Sequence, residues 1–470
     1  MRRRDFLKGI GAGAASLVIA ACRTQFSQAS TNAKPEKKPN FVFIIIDDLG
    51  WRDLGFMGSR YYETPNIDKL ASQGVIFASA YANAPNCAPT RACLISGQYT
   101  PRHGVYTVGT SERGPANLRK LIPLQNKTEL DSKIVTIPEA LKSAGYTCAC
   151  IGKWHLGNKE PFRPQDQGFD VAFDRTGPGY FSADGEYLTD RLTNEAIKFI
   201  EANKAQPFFL YLAHHAVHTP IQAKDELIEK YKKKQPTAEH NNPTYAAMVE
   251  SVDQGVGRIM AKLDELQLTA KSVVFFFSDN GGYGNATSMS PLRGSKGMLY
   301  EGGIRVPMIV RWPGQAQPAS ICDVPVIGID FYPTILEMAS VAKPSGHILD
   351  GLSIVPLLRG KGRFKREAIF WHFPAYLEPY NEQQRPWRTT PAGAVRQGYW
   401  KLIEFFEDGK IELYNLKDDI GESKDLARVK SDKAKELHQL LIQWRQQLGA
   451  PVPIKPNPDY DPTKRESRKT

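Results

Sequence analysis

NFVFIIIDDLG, residues 40–50, decides the fold. The apolar run from Phe41 to Ile46 has the look of a strand, and it stops abruptly at Asp47-Asp48. Three later runs end the same way. Tyr146 to Ile151 is followed closely by Lys153 and His155, Phe208 to Ala213 leads through His214-His215 to His218, and Val273 to Phe277 runs into Ser278-Asp279-Asn280. Amphipathic helical stretches lie between the runs, at Thr136 to Ala144, Asp190 to Asn203 and Tyr245 to Leu266. Strands alternating with helices predict an α/β fold, a large and mostly parallel sheet with helices on both faces. In open parallel sheets ligands bind beyond the carboxyl ends of the strands. The four polar clusters, distant in sequence, are therefore expected on one sheet edge.

Outward from this core the pattern changes twice. Near Gly360 it becomes short strands, Ala368 to Phe373, Ala392 to Arg396, Trp400 to Phe406 and Lys410 to Leu416, with Glu407-Asp408-Gly409 as a hairpin turn and a closing helix from Asp432 to Leu448. This predicts a small C-terminal α+β subdomain with an antiparallel sheet over 361–450, after a catalytic domain over 40–360. Residues 451–470 are expected as a polar tail, disordered over DPTKRESRKT. At the other end, 23–39 (RTQFSQASTNAKPEKKP) reads as a tether. Residues 1–22 carry Arg2, Arg3 and Arg4, a short apolar stretch and Cys22, the pattern of an export signal. Arg3 to Lys8 resembles a twin-arginine signal, and Ile19-Ala20-Ala21-Cys22 a lipobox, which places the protein in the periplasm or lipid-anchored at a bacterial cell envelope. Any membrane association is expected only through a lipid on Cys22.

The chain has a formal charge of +11. It stays basic once Arg2, Arg3, Arg4, Lys8 and Asp5 are removed with the signal. Basicity suits a polyanionic substrate; no nucleic-acid module is present, and nucleic acid is not expected as a partner. Cys148 and Cys150 are expected on opposite faces of their strand and unpaired. The segments Arg175 to Phe181 and 374–393, the latter with Tyr376, Arg385 and Arg388, are candidates for a pocket rim.

NCAPTRACLISGQY places Cys87 just before a short helix, with Pro89 in the first turn and Gly97 as the stop. Free N–H groups at such a terminus, with the guanidinium fork of Arg91, favour a tetrahedral anion such as sulfate. Asp47, Asp48, Asp279 and Asn280 offer oxygen ligands alone, which favours a hard cation, Ca²⁺ first and Mg²⁺ second; zinc lacks its usual histidine or cysteine partners here.

These motifs together are similar to those of the type I, formylglycine-dependent sulfatases of the alkaline-phosphatase-like superfamily. The resemblance spans nearly all of the chain after the signal: IIIDDLGW, ETPNIDKLASQGVIF, CAPTRACLISGQYTPRHG, GYTCACIGKWHLG, HHAVHTP, FFFSDNGG, LRGSKGMLYEGGIRVP and WKLIEFFEDGKIELYNL. Thr90 stands where serine is commoner. The resemblance implies that a maturase oxidises Cys87 to formylglycine, which hydrates to a geminal diol. Residue 87 then joins Asp47, Asp48, Asp279 and Asn280 at the metal. One diol hydroxyl attacks sulfur, and the second later expels sulfate. It also implies that Lys153 holds sulfate oxygens, that His155 orients the hydroxyls on residue 87 beside Arg91, and that His218 and Lys296 stabilise and protonate the leaving oxygen. A sulfated carbohydrate is the expected substrate. Two other functions fit parts of the pattern: a phosphonate or phosphate monoester hydrolase of the same superfamily, and a lipoprotein that binds sulfated glycans without turnover.

Overall fold

The computed structural model describes residues 38–466 except Thr176, Pro178 and 381–385. The signal, Cys22, most of the tether, Arg385 and residues 467–470 lie outside the described residues. In chain order the strands are β1 (Asn40–Ile46), β2 (Val75–Phe77), β3 (Ala80–Tyr81), β4 (Thr147–Gly152), β5 (Val171–Phe173), β6 (Phe208–Ala213), β7 (Ser272–Ser278), β8 (Met308–Arg311), β9 (Ser320–Cys322), β10 (Val326–Ile327), β11 (Ile369–Phe373), β12 (Ala392–Gln397), β13 (Trp400–Phe405) and β14 (Ile411–Asn415).

An eight-stranded sheet runs in the order β5-β4-β6-β1-β7-β8-β2-β9. The strands from β5 through β7 pair in parallel, while β8 is antiparallel to both β7 and β2. The apolar run of β1 is continuous because both its faces are covered. Phe41, Phe43 and Ile45 pack on one side with Phe275, Phe277 and the helices Cys87–Ser96, Ile137–Lys142 and Phe331–Ala339. Val42, Ile44 and Ile46 pack on the other with Val274, Phe276 and the helices Leu188–Ala202 and Pro243–Glu265. Each fully buried side chain of this kind contributes about 1.5–3 kcal/mol.

Register fixes the site. Gly152 and Ile45 both pair with Ala213, and Ile46 pairs with Ser278. The four neighbouring strands β4, β6, β1 and β7 thus stop within a residue of one level, and Lys153, His214, Asp47 and Asp279 follow along one edge.

The second sheet is antiparallel, in the order β11-β12-β13-β14. Gly409, at φ +66°, makes the turn into β14, where the Phe405 N–H donates to Lys410 O at 2.8 Å. Helix Ser431–Leu448 covers this sheet through Leu437, Leu441 and Trp444. At its junction with the large sheet, Lys401 bonds both Glu301 (2.9 Å) and Glu422 (2.8 Å) without solvent contact. The described residues cluster as one compact unit. No helix among the described residues is long and apolar enough to cross a membrane.

Two expectations need correction. Cys148 and Cys150 lie in the same core cluster, not on opposite faces, because residues two apart in a strand share a face; both are free thiols. The segment after Leu448 is ordered further than its polarity suggested. Ile122 donates to Lys455 O (2.9 Å), Asn457 Nδ2 donates to Ala116 O (2.8 Å) and Arg119 O (2.9 Å), and Pro462–Glu466 is helical. Main-chain pairing and the Asn457 side chain hold it, and neither leaves an apolar pattern.

Candidate active site

Asp47 and Asp48 follow β1 directly. Asp48 sits at φ +64°, a left-handed conformation that aspartate tolerates and that functional sites often contain. Its N–H donates to Asp279 Oδ1 (3.3 Å), and its Oδ1 accepts from Asn280 Nδ2 (2.7 Å), so the ends of β1 and β7 are tied together. Beyond β6, the Val217 N–H donates to Asp47 O (2.7 Å), and Tyr180 Oη donates to His215 O (2.6 Å) and His218 O (2.9 Å). The His218 Nδ1–H is committed to Thr219 O (2.7 Å), which aims Nε2 at Asp48 Oδ2, 3.8 Å away.

Cys87 opens the helix Cys87–Ser96 rather than preceding it, with extended Asn86 as its cap and left-handed Gly97 as its stop. Every residue of this helix is buried, and Thr90 holds the turn before it by exchanging hydrogen bonds with the backbone of Ala84 (3.0 and 3.1 Å). The Gly297 N–H donates to Pro85 O at 2.7 Å, which docks the Lys296 loop against the Cys87 turn. Lys296 Nζ bonds Asp48 Oδ2 at 2.7 Å, and Lys153 Nζ bonds Asp47 Oδ2.

The structure brings all ten candidate residues together. Asp48, Cys87, Lys153, His155, His218 and Lys296 line a pocket of about 610 Å³, with Asp47, Arg91, Asp279 and Asn280 fully buried beside them. Ligand atoms of Asp47, Asp48, Cys87 and His218 all lie within 4.8 Å of one another. Arg91 departs from the expected presentation to an anion. Its Nε and Nη2 donate to Asp279 Oδ2 (2.9 and 2.7 Å) and its Nη1 to Lys153 O (2.7 Å), so it braces the cluster from below.

Residues 39–341 match the family model described as sulfatase, and residues 295–447 that of the C-terminal part of N-sulphoglucosamine sulphohydrolase. The chain belongs to the sulfatase family. It is 33% identical to a sulfatase of Formosa agariphila over 91% of this chain and 92% of that one. To the N-acetylgalactosamine-6-sulfatase of Canis lupus familiaris it is 32% identical over 71% and 68%. The solved structure of Ps i-CgsB in complex with k-i-k-neocarrahexaose superposes with a TM-score of 0.75 at 28% identity, over 92% of this chain and 100% of that one. This sulfatase is a sulfuric ester hydrolase, and its mostly parallel sheet with an antiparallel C-terminal sheet is a sulfatase fold.

Charge in the sulfatase site is balanced by pairing. Burial works against every ion there. Asp47 is nonetheless held well below the usual carboxylate range by Lys153, His218, Arg91 and Lys296. Burial together with the charge of Asp47 pushes Asp279 up to about 7 despite Arg91. Lys153 and Lys296 both end above the ordinary lysine value, because Asp47 and Asp48 respectively outweigh the cost of burial. Burial and Asp47 push the Cys87 thiol up to about 12, so an unmodified Cys87 is a protonated thiol at neutral pH, a poor nucleophile. His155 is driven well below the ordinary histidine value by burial, Lys153 and Arg91, and is neutral.

A divalent cation fits these residues. Asp47 Oδ1 and Asn280 Oδ1 are buried acceptors with no hydrogen-bond partner, an arrangement that costs stability unless something electropositive faces it. Asp47, Asp48, Asp279 and Asn280 offer oxygens alone, while Cys87 Sγ and a ring nitrogen of His218 lie within 4.8 Å of the carboxylate oxygens of Asp47 and Asp48.

Sequence reasoning missed part of the pocket wall. Asn86, Val108, Arg113, Asp174, His215 and Tyr283 also line it, and His215 Nε2 bonds Asp174 Oδ1 at 2.6 Å. Those from loops carried no periodic signal. The two candidate rim segments do contribute, through Arg175, Gly177 and Tyr180 and through Tyr380 and Arg388. Tyr376 does not: it is fully buried, donates to Glu407 Oε1 (2.9 Å) and accepts from the Leu121 N–H (3.1 Å). His214 faces the core, both ring nitrogens without partners, its pKa lowered to about 3 by burial.

Proposed function

We propose that this sulfatase hydrolyses sulfate monoesters of a sulfated carbohydrate at residue 87, after a maturase has oxidised Cys87 to formylglycine, with a divalent cation held by Asp47, Asp48, Asp279 and Asn280. Ca²⁺ is the first choice and Mg²⁺ the second. The observation that carries the reading is the meeting of Cys87 Sγ with ligand atoms of Asp47, Asp48 and His218 within 4.8 Å, on the wall of an open pocket. The hydrated aldehyde supplies a hydroxyl nucleophile, and the cation supplies acidification of that hydroxyl and charge neutralisation.

The chain's own residues do the rest. Lys153 and Lys296, held charged by Asp47 and Asp48, face the pocket, Lys153 to bind sulfate oxygens and Lys296 to stabilise the leaving oxygen beside His218. His155 is neutral, and its partnerless, buried Nδ1 is free to bond a hydroxyl on residue 87. With Nδ1–H fixed on Thr219 O, His218 presents Nε2 to the departing oxygen, and in its imidazolium form it gives the Nε2 proton to that oxygen and is left as the Nδ1–H neutral tautomer. Arg91 holds Asp279 in place through Nε and Nη2 and opposes its protonation. A carbohydrate substrate is supported by the names of the relatives, a 6-sulfatase of N-acetylgalactosamine and a structure bound to k-i-k-neocarrahexaose. Export, to the periplasm or a lipid anchor on Cys22, rests on the residues 1–22 alone.

Matched aryl sulfate and aryl phosphate esters test the assignment. The protein produced with a maturase should release sulfate faster than phosphate, and a chelator should stop the release. Faster phosphate release would instead make it a phosphohydrolase.

A further inference from the structure

The chemistry above leaves several charged groups of the pocket unused, Arg388 among them. Arg388 lines the pocket with its guanidinium carbon 3.6 Å from the centre of the Tyr380 ring. Tyr283, another lining residue, meets Tyr380 edge-on with ring centres 4.7 Å apart. On the other side lies Gly297, where a Cβ would fall 2.7 Å from Arg388 Nε. Gly297 follows Lys296, so the guanidinium is seated directly against the loop that delivers Lys296 to Asp48.

Arg388 Nε and Nη1 are buried and have no hydrogen-bond partner. The neighbouring Arg113, itself paired with Glu378 Oε2 at 3.0 Å, adds a second cation to this wall. Burial first, and repulsion by Arg113 second, lower the Arg388 pKa to about 10. A buried guanidinium with unused donors is costly to the fold alone, and that cost is relieved when an anion supplies acceptors. A guanidinium braced on an aromatic face also takes an oxygen of a carboxylate or sulfate through a charge-assisted hydrogen bond, here on the Nη1 edge, since Nε is turned to Gly297.

The geometry points to a second anion subsite in the pocket, in which Arg388, seated on Tyr380, binds a further sulfate or a carboxylate of the sugar substrate while the scissile sulfate lies at residue 87. This rests on the sulfatase reading of the same pocket and narrows its substrate to sugars with two anionic groups. Neutral hydroxyls would leave the charge of Arg388 unmatched.

Four sugars test it: N-acetylgalactosamine 6-sulfate, its 4,6-disulfate, and the 6-sulfate linked either to glucuronic acid or to glucose. Calorimetry with Cys87→Ala protein measures affinity without turnover. The matured wild type gives kcat/KM. At least one doubly anionic sugar is expected to bind about 10- to 100-fold more tightly than its singly anionic counterpart, the range of a charge-assisted pair. The disulfate and glucuronate arms tell a second sulfate from a carboxylate. Arg388→Gln should bring the ratio close to one. Equal affinities in the Cys87→Ala protein, or a preference that survives in Cys87→Ala/Arg388→Gln, would overturn the subsite. A preserved affinity ratio with no sulfate release by matured wild type would count against the formylglycine reading and leave the subsite standing.

Discussion

At the residue scale, the orientation of His218 decides which proton moves. Its Nδ1–H is held by Thr219 O, so Nε2 is the nitrogen available to the leaving oxygen. His218→Ala should lower kcat by about 10²- to 10⁴-fold on a sugar sulfate and much less on 4-nitrophenyl sulfate, whose phenolate leaves without protonation. A loss of equal size across leaving groups would make His218 an anion-binding residue. Not every histidine is poised this way. His103 accepts from the Val105 N–H on Nδ1 (3.1 Å), faces Cys93 Sγ through Nε2 (3.3 Å), and burial lowers its pKa to about 3. The unfolded chain takes up this proton below its ordinary value of 6.5 and the folded chain does not until about 3. Stability should therefore fall with pH across that window, by about 1.4 kcal/mol per pH unit from this residue. Urea midpoints against pH should show a shallower slope for His103→Gln than for wild type. Such fates are only partly legible in sequence: the burial of Tyr376 depends on Glu407, a partner distant in the chain.

At the scale of elements, the site exists because β4, β6, β1 and β7 end level. The four apolar runs that make these strands were legible because both sheet faces are covered, so the strands carry no polar interruptions until their carboxyl ends. Strand order and the reversal at β8 were not, since pairing between distant segments leaves no local mark. The antiparallel sheet and its hairpin were legible from turn residues. Its attachment combines apolar packing of Tyr81, Leu299 and Ile327 against Trp371 and its neighbours with a buried charge cluster. Lys401 is shared by Glu301 and Glu422, and burial pushes the Glu422 carboxyl up to about 7 even with Lys401 beside it. Lys401→Met should cost about 3–5 kcal/mol in urea unfolding, because two buried carboxylates lose their shared cation. Adding Glu422→Gln should recover part of that loss; a neutral Lys401→Met would show that the cluster does not anchor the sheet.

At the scale of the whole molecule, two lysines, two histidines and four oxygen ligands from distant segments converge around one cysteine. The carboxylates of Asp47, Asp48 and Asp279 face the cations Arg91, Lys153 and Lys296, so a divalent ion would turn a balanced cluster into a positive one suited to an anionic ester. The rim, drawn from irregular loops, sets what else the substrate must carry. The central claim is that catalysis belongs to the oxidised form of residue 87. It is tested by measuring sulfate release in preparations that differ in how much of Cys87 has become formylglycine, seen by mass spectrometry as replacement of sulfur and two hydrogens by oxygen. The expected result is a rate proportional to that fraction, falling to near zero where only cysteine is found; a rate independent of it would contradict the account.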